Sequence, residues 1–313
     1  MTKAFHQAVL IYNPVSGGGA IRRGHLPQIL EALSPLADEI LVEPTRAAGS
    51  AGEQVREALA KGCDLILACG GDGTAFDVLQ GVTGTNAVLG VLPFGTANVL
   101  ASDLGLPQNP LLAARKLATY QPRRVPVGRI VAPNGQSRYF TVAAGAGLHA
   151  HLIAKAGVRE KGRKGFLAYY ISGIRMIFAN HFQLFEVEIT HPDGSFLRQR
   201  VWETVAMRVS SFGRFLRLWR PGSSLESPYL QLVLLRESSR WRLGLYVLQA
   251  VLGLANKNSD VQANFEILSA SQVVFRALPG ETVRAQADGE LLGSLPERME
   301  VVPGALNLLM PPL

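Results

Sequence analysis

Residues 64–82 read DLILACGGDGTAFDVLQGV, and this stretch decides the fold. Its residues 65–69 form an unbroken apolar run of the kind found in strands that are buried on both faces of a parallel sheet. A glycine-rich turn at residues 70–73 follows at once, and helical spacing begins near Ala75. A buried strand that passes through a glycine turn into a helix is typical of an open α/β sheet, where ligands bind at such turns.

The sequence around this stretch alternates between the same two kinds of element. Strands are predicted at 8–13, 39–44 and 88–93, and helices at 26–33, 50–61, 75–82 and 97–104. Strands that alternate with helices indicate parallel pairing, so the pattern predicts a layered α/β domain. Residues 121–124, with the sequence QPRR, are predicted to be a linker that ends this domain.

Beyond the linker the pattern changes to strands of β type. They are predicted at 125–131, 138–144, 185–190, 201–209, 229–235, 265–275 and 282–287. Two helical stretches, 166–179 and 240–254, interrupt them, and residues 299–311 are apolar with several Pro and Gly. This pattern predicts a second domain that is built on an antiparallel sheet.

The turn at residues 70–74 combines one carboxylate with more glycine than a tight turn needs. Glycine lets a phosphate approach backbone N–H groups that a Cβ would shield. A carboxylate in so bare a backbone suits a nucleoside triphosphate with Mg²⁺, which needs both amides and an acidic ligand. The competing interpretation is that Asp72 caps a helix, and we favour the nucleotide because a cap needs no such glycine density.

Two further glycine turns follow strands of the same sheet. Residues 13–19 read NPVSGGG, and taken alone they fit an ordinary turn equally well. Residues 92–98 read LPFGTAN, where Thr96 and Asn98 suit contacts to phosphate or ribose but also suit a capping turn. The chain has no G-x-x-x-x-G-K-[ST] motif, so phosphate binding is expected to depend on glycine backbone and Asp72.

Far downstream, Asp288 and Glu290 flank Gly289. Phosphoryl transfer to an alcohol needs a group that accepts or orients the hydroxyl proton, and a carboxylate can serve. Asp-Gly is also a common dipeptide of hairpin turns, and in isolation the turn is the stronger interpretation.

Together these motifs resemble the diacylglycerol kinase catalytic family, which also includes sphingosine, ceramide and bacterial lipid kinases. The matching elements are Asn-Pro-x-Ser-Gly at 13–17, Gly-Gly-Asp-Gly-Thr at 70–74, Pro-x-Gly-Thr-x-Asn at 93–98 and Asp-Gly-Glu at 288–290. Weaker matches are Thr45 with Gly49, and KGFLAY at 164–169. The matches span nearly the whole chain in the order that is typical of the family.

The resemblance implies a fold of the α/β class. An N-terminal three-layer α/β nucleotide-binding domain would cover residues 1–122, and a C-terminal antiparallel β-sandwich-like domain that accepts the lipid would cover 123–298. A tail at 299–313 would return to the first domain. The resemblance also implies ATP and Mg²⁺ as cofactors, and a lipid alcohol such as diacylglycerol or a sphingoid base as acceptor.

The resemblance also implies site residues. The nucleotide would contact Asn13, Ser16, Gly17, Thr45, Gly70, Gly71, Asp72, Gly73, Thr74, Gly95, Thr96 and Asn98. Glu290 would be the candidate base, and Asp288 would be its partner or a metal contact. Asp72 would act in catalysis and hold the metal.

This sequence departs from the family in the second domain. A family acidic residue that can hold a structural magnesium falls near Ser227, which has no carboxylate for a hard cation. Glu226 is the neighbouring acid, but in an extended segment its side chain points to the opposite face. We therefore expect no structural magnesium at residues 224–230. The glycine-rich segment usual in this domain is replaced by SFGRF at 211–215.

The charge balance bears on partners and location. The chain carries 31 basic and 24 acidic residues, a net charge of +7, which suits an anionic partner but also a merely solvated surface. No signal peptide and no transmembrane segment is recognised. We expect a cytoplasmic protein that contacts membranes transiently and binds no nucleic acid. The sequence does not specify the oligomeric state. Basic residues that could attract an anionic bilayer are Arg159, Lys161, Arg163, Lys164, Arg214, Arg217 and Arg220.

Two other functions remain open from the sequence. An NAD kinase shares the Gly-Gly-Asp-Gly-Thr turn and would phosphorylate a soluble dinucleotide. A non-catalytic regulator that binds nucleotide or membrane is the other alternative. The motifs at 13–17, 93–98 and 288–290 favour the lipid kinases, and the carboxylates at 72, 288 and 290 weigh against a regulator.

Overall fold

The computed structural model describes residues 3–16, 25–148, 150, 183–210, 223–236 and 265–312. Four parallel strands form the N-terminal part of one large sheet in the order β2-β1-β3-β4. They are β1 (Phe5–Tyr12), β2 (Ala37–Pro44), β3 (Leu65–Gly70) and β4 (Val88–Pro93). Every residue of β3 and β4 is buried, because helices cover both faces of a parallel sheet.

Five described helices pack in this first lobe. They are α1 (His25–Leu33), α2 (Ala51–Ala60), α3 (Asp72–Val82), α4 (Val99–Asp103) and α5 (Pro110–Leu117). The spacing predicted the first four, although α3 begins at Asp72, earlier than the predicted Ala75. It missed α5, despite a clear start signal: Asn109 accepts hydrogen bonds from the amides of residues 111 and 112, and Pro110 takes the first helical position.

The second lobe consists of antiparallel strands that extend the same sheet. They are β5 (Gln121–Val131), β6 (Ser137–Phe140), β7 (Ala143–Gly147), β8 (Phe185–Thr190), β9 (Phe196–Met207), β10 (Leu230–Arg236), β11 (Phe265–Ala270), β12 (Gln272–Ala277), β13 (Arg284–Ala287), β14 (Glu290–Ser294) and β15 (Arg298–Met310). This arrangement confirms the predicted fold class. The predicted helices at 166–179 and 240–254 lie outside the described residues.

β15 connects the two lobes. Its Asn307 and Leu308 pair in parallel with Val88 and Leu89 of β4, whereas its earlier residues pair antiparallel with β12. β5 runs antiparallel along β15 from Gln121 opposite Met310 to Val131 opposite Arg298. The predicted linker at 121–124 is therefore wrong, because these residues begin β5 and their backbone groups bond to β15.

Helix α3 also joins the lobes, beside the glycine turn from which it starts. Phe76 packs among buried apolar residues of the second lobe rather than those of the first. Gln80 binds the backbone of Tyr139 in β6 at both ends: its Nε2 donates to the carbonyl at 2.9 Å, and its Oε1 accepts from the amide at 2.9 Å. Helix α3, which starts from the turn of residues 70–74, is therefore attached to β6 of the second lobe.

Within the described ranges, no helix has the length and apolarity that a membrane crossing requires.

Candidate active site

A cleft of about 970 Å³ lies where the turns after β1, β2 and β3 meet the β13–β14 hairpin of the second lobe. It brings together seven of the residues that the sequence predicted for the site. They are Asn13, Ser16, Thr45, Gly71, Gly73, Thr74 and Glu290. Gly17 lies outside the described residues.

The first two turns form one wall of the cleft. The amide of Asn13 donates to the Cys69 carbonyl at 3.1 Å, and its Oδ1 accepts from the amide of Val15 at 3.0 Å, which bends the chain after β1. The amide of Thr45 donates to the carbonyl of Tyr12 at 2.8 Å. Parallel strands end at one edge of the sheet, and these bonds hold the following loops side by side there.

The turn at 70–74 presents the N-terminus of α3 to the cleft. Gly71 is the extended residue before the helix, and the first amides of α3 lack partners within the helix. Such amides and the helix dipole favour an anion. Gly71 also touches the third turn, because a Cβ on Gly95 would lie 2.5 Å from the Cα of Gly71. Two glycines therefore let the second and third turns pack backbone against backbone.

Asp72 does not line this cleft. Its Oδ1 accepts from the amide of Val99 at 2.7 Å, and the neighbouring amides of Asn98 and Leu100 also lower its pKa. Burial raises the pKa of Asp72, and these amides oppose the shift. The carboxylate thus caps α4, a helix of the next motif, and fastens the third turn to the second. Asp72 does cap a helix, as the competing interpretation held, but it caps α4 and not α3, the helix that it begins.

The third turn supports the site from behind. The buried Asn98 has φ of 48°, and its side chain accepts from the amide of Gly95 at 2.7 Å and donates to its carbonyl at 2.8 Å. Thr96 is exposed. Gly70, Gly95, Thr96 and Asn98 are not among the residues that line the cleft. Their predicted nucleotide contacts therefore have no support in the geometry.

Glu290 enters the cleft from the other lobe on a two-residue hairpin. Ala287 pairs with Glu290, and Asp288 and Gly289 have φ of 46° and 89°, the positive pair typical of a type I′ turn. A Cβ on Gly73 would lie only 2.9 Å from Oε1 of Glu290. The hairpin thus sets the carboxylate against the turn at 70–74. The motif forms the hairpin turn that was one of its two interpretations, and that turn places Glu290 at the cleft.

Asp288 anchors that hairpin. Its carboxylate accepts from the amides of Thr141, Val142 and Ala143, each at 2.9 Å, and its own amide donates to the carbonyl of Ala143 at 2.7 Å. The residue is half-exposed because it lies in the turn, whereas its carboxylate is enclosed by protein. Burial raises the pKa of Asp288 to about 6 against the pull of these amides. The carboxylate faces amides of the second lobe and not the cleft.

Asp77 is a cleft carboxylate that the sequence reasoning missed. Its Oδ2 accepts from the amide of Gly49 at 3.0 Å, which ties the loop after β2 to α3. Burial raises the pKa of Asp77, the Gly49 amide lowers it, and the charge of Glu290 raises it. The signal was present in the sequence, because Asp77 follows Gly73 by one helical turn and so shares its face of α3.

Arg138 is a second missed residue of the cleft. It lies on β6, in the wall that the second lobe contributes, and its charge lowers the pKa of Asp77. Arg46, on the loop after β2, lines the same cleft and is bonded to Glu57. Two guanidinium groups therefore border a cleft that also holds two carboxylates. No motif pointed to either arginine.

Residues 224–230 do not suit the structural magnesium of the family. Glu226 forms an ion pair with Arg123 at 2.9 Å. The hydroxyl of Ser227 donates to the carbonyl of Tyr229 at 3.0 Å, and the carbonyls of Leu225 and Ser227 accept from Arg208. Within the described ranges, no group of three or more metal-ligating side chains is found. The oxygen atoms that a hard cation would need are engaged by arginines.

Two family models match successive parts of the chain. A model of the diacylglycerol kinase catalytic domain matches residues 7–130, and one of the YegS C-terminal NAD kinase beta sandwich-like domain matches residues 141–310. The diacylglycerol kinase of Bacillus subtilis (strain 168) is 30% identical over 308 residues, covering 97% of this chain and 96% of that protein. The chain belongs to the diacylglycerol kinase family.

Other members of the diacylglycerol kinase family are similar over the same length. The diacylglycerol kinase of Mycobacterium tuberculosis (strain ATCC 25618 / H37Rv) is 27% identical over 307 residues, covering 96% of this chain and 93% of that protein. A crystal structure of a diacylglycerol kinase from Bacillus anthracis str. Sterne matches with a TM-score of 0.71 at 20% identity, covering 99% of both chains. At that identity the structural match shows a shared fold.

The comparisons confirm the family and the fold class that the motifs predicted. They identify the chain as a member of a family of lipid kinases.

Proposed function

We propose that this chain transfers the γ-phosphoryl group of ATP to the hydroxyl of a lipid alcohol such as diacylglycerol. The observation that carries the proposal is the position of Glu290, whose carboxylate from the second lobe lies against Gly73 in the glycine turn of the first. Kinase chemistry needs phosphate-binding amides beside a group that handles the acceptor proton, and in this proposal the turn at Gly73 and the carboxylate of Glu290 would supply them. Relatives named diacylglycerol kinase match almost the whole chain.

The triphosphate is proposed to bind at the N-terminus of α3. Gly71, Gly73 and Thr74 line the cleft at the start of α3, where the free amides and the helix dipole favour negative charge. Arg138 in the opposite wall would add a positive charge without the lysine of a P-loop. Asn13, Ser16 and Thr45 line the same wall as the turn and are proposed to contact the rest of the nucleotide.

Glu290 is the proposed base. Its carboxylate would take the proton of the acceptor hydroxyl as that oxygen bonds to the γ-phosphorus, and the bond to the β,γ-bridging oxygen would break to release ADP. Asp288 was the other candidate, but its carboxylate already accepts three backbone amides. We propose that Asp288 positions the hairpin that carries Glu290.

Mg²⁺ is proposed to accompany ATP, with Asp77 as its protein ligand. Hard cations prefer carboxylate oxygens, and Asp77 offers one in the cleft while its Oδ2 bonds to the Gly49 amide. The predicted ligands Asp72 and Asp288 are committed to backbone amides. When bound, the ion would neutralise charge on the phosphates.

A labelled-phosphate assay tests the function. The full chain is incubated with γ-labelled ATP and Mg²⁺ and one of four acceptors: diacylglycerol, ceramide or sphingosine in mixed micelles, or NAD in buffer. A fifth reaction contains no acceptor. We expect a labelled lipid and no labelled dinucleotide. Label found in NADP alone would show that the chain is an NAD kinase instead. If the chain binds ATP but no acceptor becomes labelled, the alternative of a non-catalytic regulator would be favoured.

We further propose reversible contact with an anionic membrane surface, which a water-insoluble acceptor requires. The support is in sequence alone, since the basic residues at 159–164 and 214–220 lie outside the described residues. Each basic residue near such a surface contributes on the order of 1 kcal/mol, and salt screens that attraction. Co-sedimentation with anionic but not neutral vesicles, lost at high salt, is the expected result. If binding were equal for anionic and neutral vesicles and independent of salt, electrostatic attraction would not contribute to it.

A further inference from the structure

Arg208 is a fully buried cation whose neighbours are carbonyl groups. Its Nη2 donates to the carbonyls of Pro126 at 3.0 Å, Leu225 at 2.8 Å and Ser227 at 3.0 Å. Its Nη1 donates to the carbonyl of Tyr229 at 3.4 Å. Four backbone oxygens from two separate segments thus surround one guanidinium group.

No acid shares this site within the described part of the chain. Arg208 takes part in none of its ion pairs, and Glu226, which lies between the carbonyl acceptors Leu225 and Ser227, is paired with Arg123 instead. Burial lowers the pKa of Arg208 to about 10, so the group remains charged at neutral pH. A buried charge is tolerated only when dipoles or ions compensate it. Here carbonyl dipoles do so at Nη1 and Nη2, whereas the buried Nε has no hydrogen-bond partner in the described part of the chain.

The same oxygens are of the kind that bind metal ions in other proteins. Carbonyl oxygens that converge on one point form the usual cage for a hard cation, completed by carboxylates. Here the carboxylates are missing, since Ser227 has none and Glu226 bonds elsewhere. The guanidinium occupies the point where the carbonyls converge.

We propose that residues 224–230 form a cation site that the protein fills with its own Arg208, so that this lobe folds without a structural divalent ion. The site cross-links three parts of the second lobe. The side chain joins Pro126 of β5 to the loop before β10, and the amide of Arg208 donates to the carbonyl of Val142 at 2.9 Å.

The cross-link reaches the candidate active site through one peptide segment. The amide of Val142 donates to Oδ1 of Asp288, which holds the hairpin of Glu290. The internal cation therefore supports the strand junction on which that hairpin rests. Arg208 would be a positioning residue, distant from the reacting groups.

Thermal unfolding of the full chain tests the proposal. The wild-type midpoint is expected to be the same with EDTA, Mg²⁺ or Ca²⁺. Arg208→Met keeps the apolar volume but removes the charge and leaves carbonyls unpaired, so its midpoint should fall by roughly 5–10 °C. Arg208→Lys keeps a charge with fewer donors and should fall less. A wild-type midpoint that EDTA lowers and Mg²⁺ restores would overturn the proposal, as would an Arg208→Met variant as stable as the wild type.

Chemical rescue supplies a second readout. Arg208→Ala opens a space that N-ethylguanidinium fits, and N-ethylurea is its neutral counterpart of similar shape. We expect the guanidinium compound to raise the midpoint of Arg208→Ala in a saturable way and to leave the wild type unchanged. If N-ethylguanidinium and N-ethylurea raised the midpoint equally, the filled volume and not the charge would be responsible, and the proposal would be wrong. If Arg208→Ala does not fold, the proposal is still tested by Arg208→Met, by Arg208→Lys and by the effect of EDTA on the wild type.

Discussion

The carboxylate of Glu290 lies against the backbone of Gly73, with its Oε1 atom 2.9 Å from the point that a Cβ at Gly73 would occupy. Gly73 belongs to the first turn of α3, and Glu290 begins β14 in the other lobe. The absence of a side chain at residue 73 is therefore what lets the proposed base approach the proposed phosphate site. This relationship can be tested without changing either the charge or the hairpin.

Gly73→Ala should lower kcat by roughly 10- to 100-fold, because the added methyl group displaces the carboxylate of Glu290 from its working position. Helical geometry at residue 73 accepts alanine, so the melting temperature should stay close to that of the wild type. Steady-state kinetics and thermal unfolding measure the two quantities.

The matched control for Gly73→Ala is the same change made in a Glu290→Ala background. If the methyl group acts by displacing Glu290, its effect on kcat should disappear there, as in a double-mutant cycle between touching residues. An undiminished effect would show that the methyl group blocks the phosphates directly.

Glu290→Gln should reduce kcat by about two orders of magnitude, the usual scale for the loss of a general base, with little change in KM for ATP. The substitution keeps the size of the side chain, so the hairpin and its stability should persist. Glu297→Gln is the control, because Glu297 is an exposed acid shortly after β14. Unchanged turnover in Glu290→Gln would reduce the Asp-Gly-Glu motif to a structural turn.

Asp288 should make stability depend on pH in an unusual direction for a carboxylate. Its folded pKa of about 6 lies above the ordinary 3.8, so the folded state binds the proton more tightly than the unfolded state. Its stabilising contribution is complete at pH values below the ordinary pKa of 3.8, and it is lost as the pH rises through the folded pKa. Relative to Asp288→Asn, the wild type should lose at most about 1.4 kcal/mol per pH unit in that window, measured by urea unfolding.

Asp193 provides a control of opposite sign. It lies in the exposed turn between β8 and β9, and a hydrogen bond from Ser195 lowers its pKa. Its stabilising contribution is present above the unfolded pKa and is lost as pH falls through the folded value. The difference in unfolding free energy between wild type and variant should therefore change with pH in opposite directions for Asp288→Asn and Asp193→Asn. If it changed in the same direction for both variants, the raised pKa of Asp288 would be contradicted.

Gln80→Leu should loosen the join between α3 and β6. It leaves both backbone groups of Tyr139 without their side-chain partners, and we expect a loss of about 1–3 kcal/mol in the free energy of unfolding. Amide hydrogen exchange at Tyr139 should become faster. Gln28→Leu, at an exposed glutamine of α1, should change neither quantity. Slow exchange at Tyr139 in Gln80→Leu would mean that the bond to Gln80 does not hold this junction closed.

The local elements of the first lobe and its glycine-rich motifs could be predicted from the order of the residues alone. Residues 65–69 and 88–93 are continuously apolar, and that pattern alone specifies strands buried on both faces. The glycine turns are local signals that need no long-range contact to be recognised, and so the first lobe and the region of the site were predictable. The linker at 121–124 was not, because its polar residues form a strand only through pairing with β15.

The role of each carboxylate depends on contacts that only the folded chain makes. Asp72, Asp77, Asp288 and Glu290 are alike as carboxylates, and their spacing says nothing about which amides surround them. The fold places the amide of Val99 against Asp72 and three amides against Asp288, and it leaves Asp77 and Glu290 to face the cleft. Arg208 follows the same rule, since the carbonyls that hold it come from segments far apart in the chain. The role of a charged group depends on its partners in space, and long-range packing alone brings those partners to it.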